Sequence, residues 1–154
     1  MTTYEPLNES EEFAWRALTR VIVVAPRLLD EDLQRGAHMT LSEYTVLMHL
    51  SEAPDSTLRV AELAERAYLS GSRITRLVDK LALEGLVEKD RSEHDRRGIE
   101  VRITTEGLAR LESAYPAHLS SVRSRIIDHL DPSKLDVFGR MLAGVLLAEG
   151  SPDA

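Results

Sequence analysis

The sequence predicts a mainly α-helical chain with one small β-hairpin, and three observations support this fold class. Most of the 154 residues fall into segments whose apolar side chains recur every three or four positions, as in helices that bury one face. Capping residues, prolines and glycines separate these segments. Apart from a short extended piece at 57–59, only residues 86–90 and 99–103 have the pattern of strands. The length suits one domain, with room for an extension.

The first predicted element is a long helix over residues 8–34. Asn8 and Glu11 have the spacing of a capping box, in which each residue bonds the backbone of the other. Pro26 lies inside this helix and should kink or split it, because proline has no N–H to donate. A long helix at a chain end often packs against a partner subunit, so we expect the same here.

The next predicted helix, over residues 40–53, has a clearer pattern. Thr40 and Glu43 form a second capping box just before an apolar run, and the sequence Ala-Pro-Asp-Ser at 53–56 stops the helix. The extended piece at 57–59 follows it.

Two short helices come next, over residues 60–68 and 71–84, with a tight connection between them. Ser70 is a suitable N-cap for the second helix, and Gly85 is a suitable C-terminal stop. The apolar stripe of the second helix, which should face the core, consists of Ile74, Leu77, Val78 and Leu81.

The two strands are joined by residues 91–98, a polar loop that ends in glycine and carries three arginines. Thr104 or Thr105 caps the following helix, which should run towards residue 130 with Pro116 as a local disturbance. Asp131 followed by proline predicts the start of a last helix that ends at about residue 148.

Two short helices, a tight turn and a hairpin together describe a winged helix-turn-helix. The second helix would read the major groove, where arginine can bond guanine with two hydrogen bonds and serine or threonine can reach bases or phosphates. Arginines in the hairpin loop suit the narrow minor groove. In isolation, Arg73 and Arg76 would more often form a solvated helix face, and Asp95 with Arg97 an ion pair within the loop, but the wing motif favours DNA contacts. The candidate DNA contacts are Ser70, Ser72, Arg73, Thr75, Arg76, Arg91, Asp95, Arg96 and Arg97.

Lys80 also lies on the outward side of the second helix. It is two turns farther along than Arg73, so we expect it to contact a phosphate or solvent rather than a base.

Residues 40–107 resemble the MarR family (multiple antibiotic resistance regulators). The matching stretches are LAERAYLSGSRITRLVDKLALEGLVEKD at 63–90 and DRRGIEVRITTEG at 95–107. The second stretch is similar to the wing signature of the family, D-x-R-x-x-x-V-x-[LI]-T-x-x-G, and the flanking helices fit the family architecture. The residues that occupy the signature are Asp95, Arg97, Val101, Ile103, Thr104 and Gly107.

The resemblance implies a homodimer that binds a palindromic DNA operator, as a repressor more often than an activator. It divides the chain into an N-terminal dimerisation helix with its connection (1–39), a winged helix-turn-helix domain (40–104) and C-terminal dimerisation helices (105–154). Arg97 would enter the minor groove, and Asp95 would orient it. Dimeric helix-turn-helix geometry would then place two half-sites about one helical turn apart.

The resemblance also implies a small aromatic or anionic ligand between the dimerisation helices and the winged domain. Such a ligand would bias the separation of the two reading helices. Ordinary packing is the alternative explanation for these side chains. The candidate residues, by type, are Trp15, Arg16, His38, Tyr44, Met48, His49, Tyr115 and His118.

Composition and charge exclude several other classes of function. With no cysteine, the chain has no disulfide, thiolate metal site or thiol sensor. The five histidines are not arranged as a metal site, and no cofactor is expected. The longest uncharged stretch is ten residues, so we expect no transmembrane helix and a cytoplasmic location.

The net charge of −7 conceals an uneven distribution. Residues 59–110 carry 11 Lys and Arg against 10 Asp and Glu, whereas the rest of the chain carries 8 against 16. The predicted reading surface is therefore nearly neutral. The acidic total also leaves open a second interpretation, in which the winged helix binds another protein rather than specific DNA. An enzyme has little support, because no nucleophilic set or phosphate loop is visible.

Overall fold

The computed structural model describes residues 4–91 and 98–147 and confirms a mainly helical fold with a small sheet. Short 3₁₀ turns at Pro54–Ser56, Ile127–His129 and Pro132–Lys134 connect the main elements. The helices and strands are α1 (Glu9–Ala37), α2 (Leu41–Glu52), β1 (Thr57–Arg59), α3 (Val60–Arg66), α4 (Gly71–Leu83), β2 (Val87–Arg91), β3 (Ile99–Ile103), α5 (Thr105–Arg125) and α6 (Leu135–Leu147).

The sheet has three antiparallel strands in the order β1-β3-β2, so the predicted hairpin gains a third strand. The extended piece predicted at 57–59 is β1, and its Leu58 lies opposite Val101 of β3. Val101 and Ile103 are buried, whereas Arg102 between them is exposed. This alternation puts one face of β3 on the core.

The hydrophobic core lies where the C-terminal end of α1, α2, α3, α4, the sheet and the first half of α5 meet. Four side chains of α2 contribute to it, and the stripe predicted for α4 is buried as expected, with Leu77 partly covered. The largest core side chains with less than 2% exposure are Leu33, Val46, Leu47, Leu50, Leu63, Ile74, Val78, Leu81 and Val101.

The first helix begins as predicted, but Pro26 does not split it. Both hydrogen bonds of the capping box between Asn8 and Glu11 are present. The helix continues through Pro26 to Ala37 as one element of 29 residues. A proline removes one backbone hydrogen bond and crowds the carbonyl four residues before it. Contacts with α5 nevertheless hold the helix on the C-terminal side of Pro26, where Asp32 bonds Ser121 and Arg125.

The helix predicted to run to residue 130 ends earlier. α5 stops at Arg125, because Ile126 adopts a non-helical backbone (φ −130°, ψ −66°). Pro116 stays inside the helix. The last predicted helix also begins later, since the Asp131 side chain accepts from the Ser133 N–H (2.9 Å) and caps a separate 3₁₀ turn.

An ion-pair cluster joins α1 to α5. Asp32 accepts two hydrogen bonds from Arg125, at 2.9 and 3.1 Å, and one from the Ser121 hydroxyl at 2.7 Å. These bonds, above all those from Arg125, hold the pKa of the Asp32 carboxyl well below its ordinary value. Arg110 makes a further tie to the end of α1 by donating to the carbonyl of His38 at 2.9 Å.

Within the part of the chain that the structure describes, no helix is both long and apolar enough to cross a membrane. The division of the chain at residues 39/40 and 104/105 remains a prediction.

Candidate nucleic-acid interface

α4, which we call the reading helix, presents a polar face opposite its buried stripe. Ile74, Val78 and Leu81 face the core. On a helix with 3.6 residues per turn, Ser72 and Arg76 then point directly away from the core. Both side chains are exposed, as are those of Arg73 and Thr75. The structure thus brings the four predicted contacts on this helix onto one accessible surface.

Ser70 is the N-cap of the reading helix by position, but its side chain makes no capping hydrogen bond. Its carbonyl accepts from the N–H groups of Arg73 and Ile74, each at 2.9 Å. Its hydroxyl instead lies 3.4 Å from the hydroxyl of Ser72. The side chain that we expected to close the helix end is therefore exposed beside the polar face.

Each of the two arginines of the reading helix donates one long hydrogen bond within the protein, and most N–H donors of each guanidinium make no such bond. The Nη2 of Arg73 donates to the Ser42 hydroxyl at 3.2 Å, and the Nε of Arg76 donates to the Ser72 carbonyl at 3.3 Å. A guanidinium has five N–H donors. Both groups thus retain the donors needed for a bidentate bond to an acceptor outside the protein.

The structure pairs Lys80 within the protein rather than directing it only to solvent. Its ammonium donates to the carboxylate of Glu43, a side chain of α2 that is only 7% exposed, and lies 3.7 Å from Glu84. On the other flank, Asp79 pairs with Lys89 of β2. Ion pairs therefore hold both edges of the reading helix, and sequence spacing alone could not reveal them.

Tyr68 occupies a strained position in the turn that leads to the reading helix. Its backbone is left-handed (φ 52°), which is rare for a bulky residue, and its side chain is 71% exposed. The Leu69 N–H bonds the Ala64 carbonyl at 2.9 Å, and the Tyr68 N–H bonds the Glu65 carbonyl at 3.1 Å. This is the Schellman pattern, in which glycine is usual.

Most of the wing loop lies outside the described residues. The predicted contacts Asp95, Arg96 and Arg97 fall within the gap at 92–97, so their roles remain predictions. The backbone of Arg91 ends β2, where it pairs with Ile99. The loop thus leaves the sheet between these two residues.

The last two residues of the wing signature join the hairpin to α5. The Thr104 hydroxyl accepts from the Gly107 N–H at 3.0 Å and donates to the Gly85 carbonyl at 2.8 Å. A Cβ on Gly107 would lie 2.1 Å from the Leu86 carbonyl oxygen, a distance that no side chain could occupy. The hydroxyl at Thr104 and the absence of a side chain at Gly107 therefore allow the close approach of the helix to the hairpin.

Four of the eight predicted ligand residues meet at one cavity between α2 and α5. The cavity has a volume of about 460 Å³ and is lined by Tyr44, Met48, Tyr115 and His118. Trp15, Arg16, His38 and His49 do not line it. The residues that sequence reasoning missed are Ser51, Glu52, Leu111, Glu112, Leu119 and Val122.

Two aromatic rings stack in the wall of this cavity. The rings of Tyr44 and His118 lie 4.2 Å apart at 28°. Burial lowers the pKa of His118 and raises the pKa of Tyr44, so both side chains are neutral at neutral pH. Among the described residues, the buried Nδ1 of His118 has no hydrogen-bond partner.

No group of three or more histidine, aspartate or glutamate side chains within 4–91 and 98–147 is placed to hold a metal ion.

Known proteins resemble this chain both in sequence and in structure. A family model described as MarR family matches residues 39–98. The HTH-type transcriptional repressor YetL of Bacillus subtilis (strain 168) is 36% identical over 107 residues, which are 70% of this chain and 64% of that protein. The match thus spans slightly less than two thirds of that relative.

Two solved structures from Streptomyces coelicolor cover almost the whole chain. Sco3205, a MarR family transcriptional regulator solved in complex with DNA, has a TM-score of 0.86 and 30% identity, covering 100% of this chain and 95% of that chain. AbsC, another MarR family transcriptional regulator, has a TM-score of 0.84 and 30% identity, covering 94% of this chain and 97% of that chain.

The relatives are named as transcriptional regulators rather than enzymes, which confirms the expectation that this chain is not an enzyme. The fold of Sco3205 matches the whole chain at 30% identity, and the family model matches residues 39–98, so the chain belongs to the MarR family of transcriptional regulators.

Proposed function

We propose that this chain is a sequence-specific, double-stranded DNA-binding transcription regulator that acts as a homodimer on a palindromic operator. The observation that carries the proposal is the reading helix, which buries one face and exposes Ser72, Thr75 and Arg76 on the other. A helix presented in this way fits the major groove. The solved DNA complex of Sco3205, whose fold covers this whole chain, supports the same partner.

Base reading is assigned to the reading helix, and backbone and minor-groove contacts are assigned to the wing. Arg76 would bond guanine, while Ser70 and Ser72 would reach phosphates or base edges near the helix N-terminus. Arg73 would contribute from the flank of the helix. Thr75 donates its hydroxyl to the Gly71 carbonyl at 2.8 Å, which leaves the hydroxyl oxygen free to accept. The wing contributions come from Arg91, Arg96 and Arg97, with Asp95 orienting Arg97.

The homodimer is supported by apolar side chains that the single chain leaves exposed at both ends. On α1, Val23 is 73% exposed, and Trp15 and Ile22 are also uncovered. On α6, Met141 is 68% exposed and Phe138 is exposed beside it. Uncovered apolar surface of this extent marks an interaction site. A second copy buries both ends at once, because a two-fold interface uses the same surfaces on each subunit.

The repressor direction is supported by YetL, the relative from Bacillus subtilis that is named as a repressor. A dimer of this kind, bound across a promoter, would exclude the polymerase. Repression by this route needs no activity of the chain other than DNA binding.

DNA binding can be tested by selecting duplexes from a randomised pool with the wild-type protein and titrating them by fluorescence anisotropy. Arg76→Ala should weaken binding to the selected duplex by about 10- to 100-fold, and binding to a scrambled duplex by much less. Arg97→Ala should weaken binding to both duplexes. Arg123→Ala, near the end of α5, removes an exposed arginine outside the reading helix and the wing and should change neither. A pool that yields no preferred sequence, or binding that does not fall as salt rises, would favour the protein-interaction alternative.

The homodimer can be tested by sedimentation of Met141→Asp, which would place a charge in the proposed interface. The variant should sediment as a monomer at concentrations where the wild type is a dimer. Leu83→Asp, on the exposed side of the reading helix, is the matched control and should remain dimeric. A wild type that is monomeric at micromolar concentration would contradict the proposal.

Relief of DNA binding by a small aromatic ligand is a second, separate part of the proposal, and the cavity between α2 and α5 supports it. Two tyrosines and the stacked histidine line it. Two carboxylates, Glu52 and Glu112, line it as well, and these disfavour an anion. Of the two ligand types expected, the cavity therefore supports a neutral aromatic molecule rather than an anion.

A matched pair of probes, benzamide and benzoate, separates the two ligand types. Benzamide should weaken binding to the selected duplex more than benzoate does. Leu119→Trp, which fills the cavity, should abolish the response. The effector proposal fails if benzoate is the stronger of the two, or if the filled cavity responds as the wild type does.

A further inference from the structure

The first turn of α2 contacts both α1 and the reading helix through three consecutive residues. The Leu41 N–H donates to the Asp30 carboxylate of α1 at 2.7 Å. The Ser42 hydroxyl accepts from Arg73 of the reading helix at 3.2 Å. Glu43, the third, accepts from Lys80, which lies two helical turns beyond Arg73 in the reading helix. This turn is therefore a junction between the long N-terminal helix and the helix that would read DNA.

Glu43 uses its two carboxylate oxygens for two different helices. Oε2 accepts from the Thr40 N–H at 2.8 Å and closes the capping box of α2. Oε1 accepts from the ammonium of Lys80. Because the side chain is only 7% exposed, this carboxylate cannot follow a moving partner into solvent. The carboxylate is thus fixed by the backbone of α2 and in turn fixes Lys80 of the reading helix.

Both partners stay charged at neutral pH. Burial raises the pKa of the Glu43 carboxyl, but hydrogen bonds from Lys80 and Thr40 outweigh it and leave the pKa below its ordinary value. The bond to Glu43 raises the pKa of Lys80. An ion pair with one desolvated partner is costly to break, since the remaining charge is left buried and unpaired.

We propose that Glu43 is a positioning residue of the reading helix, which it fixes through Lys80 against the first turn of α2. Because Asp30 of α1 accepts a hydrogen bond from the Leu41 N–H in that same turn of α2, the contact sets how the reading helix is presented relative to α1. The inference rests on the proposed DNA-binding function. It assigns Lys80 an indirect role, in contrast to the phosphate contact that its place on the outward side of the helix predicts.

Charge alone and positioning predict opposite outcomes for Glu43→Gln. Removing a negative charge beside the reading helix, and releasing Lys80, should strengthen DNA binding if only charge matters. If the pair positions the helix, the same change should weaken binding to the selected duplex. Glutamine at this place still closes a capping box, so α2 keeps its cap.

The experiment titrates Glu43→Gln, Lys80→Gln and the double variant against the duplex selected by the wild type and against a scrambled duplex, over a range of salt. Each single variant should lose about tenfold in affinity for the selected duplex only, and the double variant should lose no more than either. The slope of affinity against salt should stay unchanged. Lys80→Arg, which keeps the pair, should restore most of the affinity.

The proposal is overturned if Glu43→Gln binds the selected duplex as tightly as the wild type, or if the two single losses add. It is also overturned if Lys80→Gln lowers the salt slope by about one, since this marks a direct phosphate contact. Should either single variant unfold, the double variant decides, because it removes both charges and leaves none buried and unpaired. Wild-type affinity of the double variant for the selected duplex would then overturn the proposal.

Glu62→Gln is the matched control, because it breaks a pair with Arg66 inside α3 and should change neither affinity. The proposed function and this inference fail in different ways. If the wild type selects no sequence, both fall. If Arg76→Ala loses the selected duplex while Glu43→Gln does not, only the positioning role of Glu43 is wrong.

Discussion

The winged helix and the two chain ends differ in how completely they bury their apolar side chains. Every buried hydrophobic residue identified in the described chain lies between Leu33 and Ala114. The first half of α1 and the whole of α6 have apolar residues in plenty, yet they leave Val23, Phe138 and Met141 uncovered. One region therefore completes its own core, and the other offers surface that only another surface can cover.

The difference shows that apolar composition does not by itself tell whether a helix serves its own chain. α6 is the more apolar helix by sequence, but the reading helix buries Ile74, Val78 and Leu81 in the core, whereas α6 buries none of its described side chains. Substitutions that separate the two regions should therefore act on different measurements.

The largest effect is expected in the core of the winged helix. Leu47→Ala removes a fully buried side chain of α2 and should lower the free energy of unfolding by about 2–5 kcal/mol. Val23→Ala on α1 should change the unfolding of dilute protein by less than about 0.5 kcal/mol but weaken self-association. Denaturant unfolding and sedimentation measure the two effects, and equal losses of stability at both sites would remove the distinction.

A smaller loss is expected where the wing meets α5. Gly107→Ala forces a methyl group against the Leu86 carbonyl and should destabilise the fold by about 1–3 kcal/mol. Gly144→Ala, in α6, meets nothing within 4 Å and should stabilise its helix slightly. Thermal unfolding of the two variants gives the comparison directly. A neutral Gly107→Ala would mean that the hairpin and α5 can separate.

The ion-pair cluster of Asp32, which joins α1 to α5, should lose its stabilising effect in acid. The pKa of Asp32 is lower in the folded chain than its ordinary value of 3.8, so its stabilising contribution is present above that value and is lost as the pH falls below it. The difference in unfolding free energy between the wild type and Asp32→Asn should be constant near neutral pH and shrink below about pH 3.8. Denaturant titrations at several pH values measure it. A difference that is independent of pH would show that Asp32 is not held by charge.

The smallest effect compares two turns with the same hydrogen bonds. α4 ends in a Schellman pattern at Gly85 (φ 72°), as α3 does at Tyr68. Gly85→Ala should destabilise the fold by about 1 kcal/mol, whereas Tyr68→Gly should stabilise it by less than that. Thermal unfolding of the two variants checks both signs. A loss of stability in Tyr68→Gly would show that the exposed ring contributes to the fold.

Local sequence signals predicted most of the fold. The capping boxes of Asn8 and Thr40 predicted two helix starts, and alternation predicted β3, because these signals depend on neighbours a few positions apart. Helix ends were less predictable. No local signal distinguished Arg125 from Leu130 as the end of α5. Pro26 does not end α1, because the helix packs along α5 beyond it.

The sequence predicted the exposed residues of the reading helix more reliably than the residues that line the cavity. The spacing on the reading helix placed Ser72, Thr75 and Arg76 on one face, since one buried stripe determines what the other face presents. The ligand residues were chosen by type alone, and four of them do not line the cavity: Trp15, Arg16, His38 and His49. Tyr44 and His118 meet there only because α2 and α5 pack together.

Glu43 makes one contact that the sequence predicts and one that only the tertiary structure reveals. The sequence predicts that Glu43 caps α2, because Thr40 lies three positions before it and both residues belong to one helical turn. Its second partner, Lys80, is 37 positions away, and only the packing of the reading helix against α2 brings the two charges together. The sequence alone determined the winged-helix plan and the residues that face outward. The tertiary structure decided which charges are held inside, because long-range pairing depends on where whole helices lie.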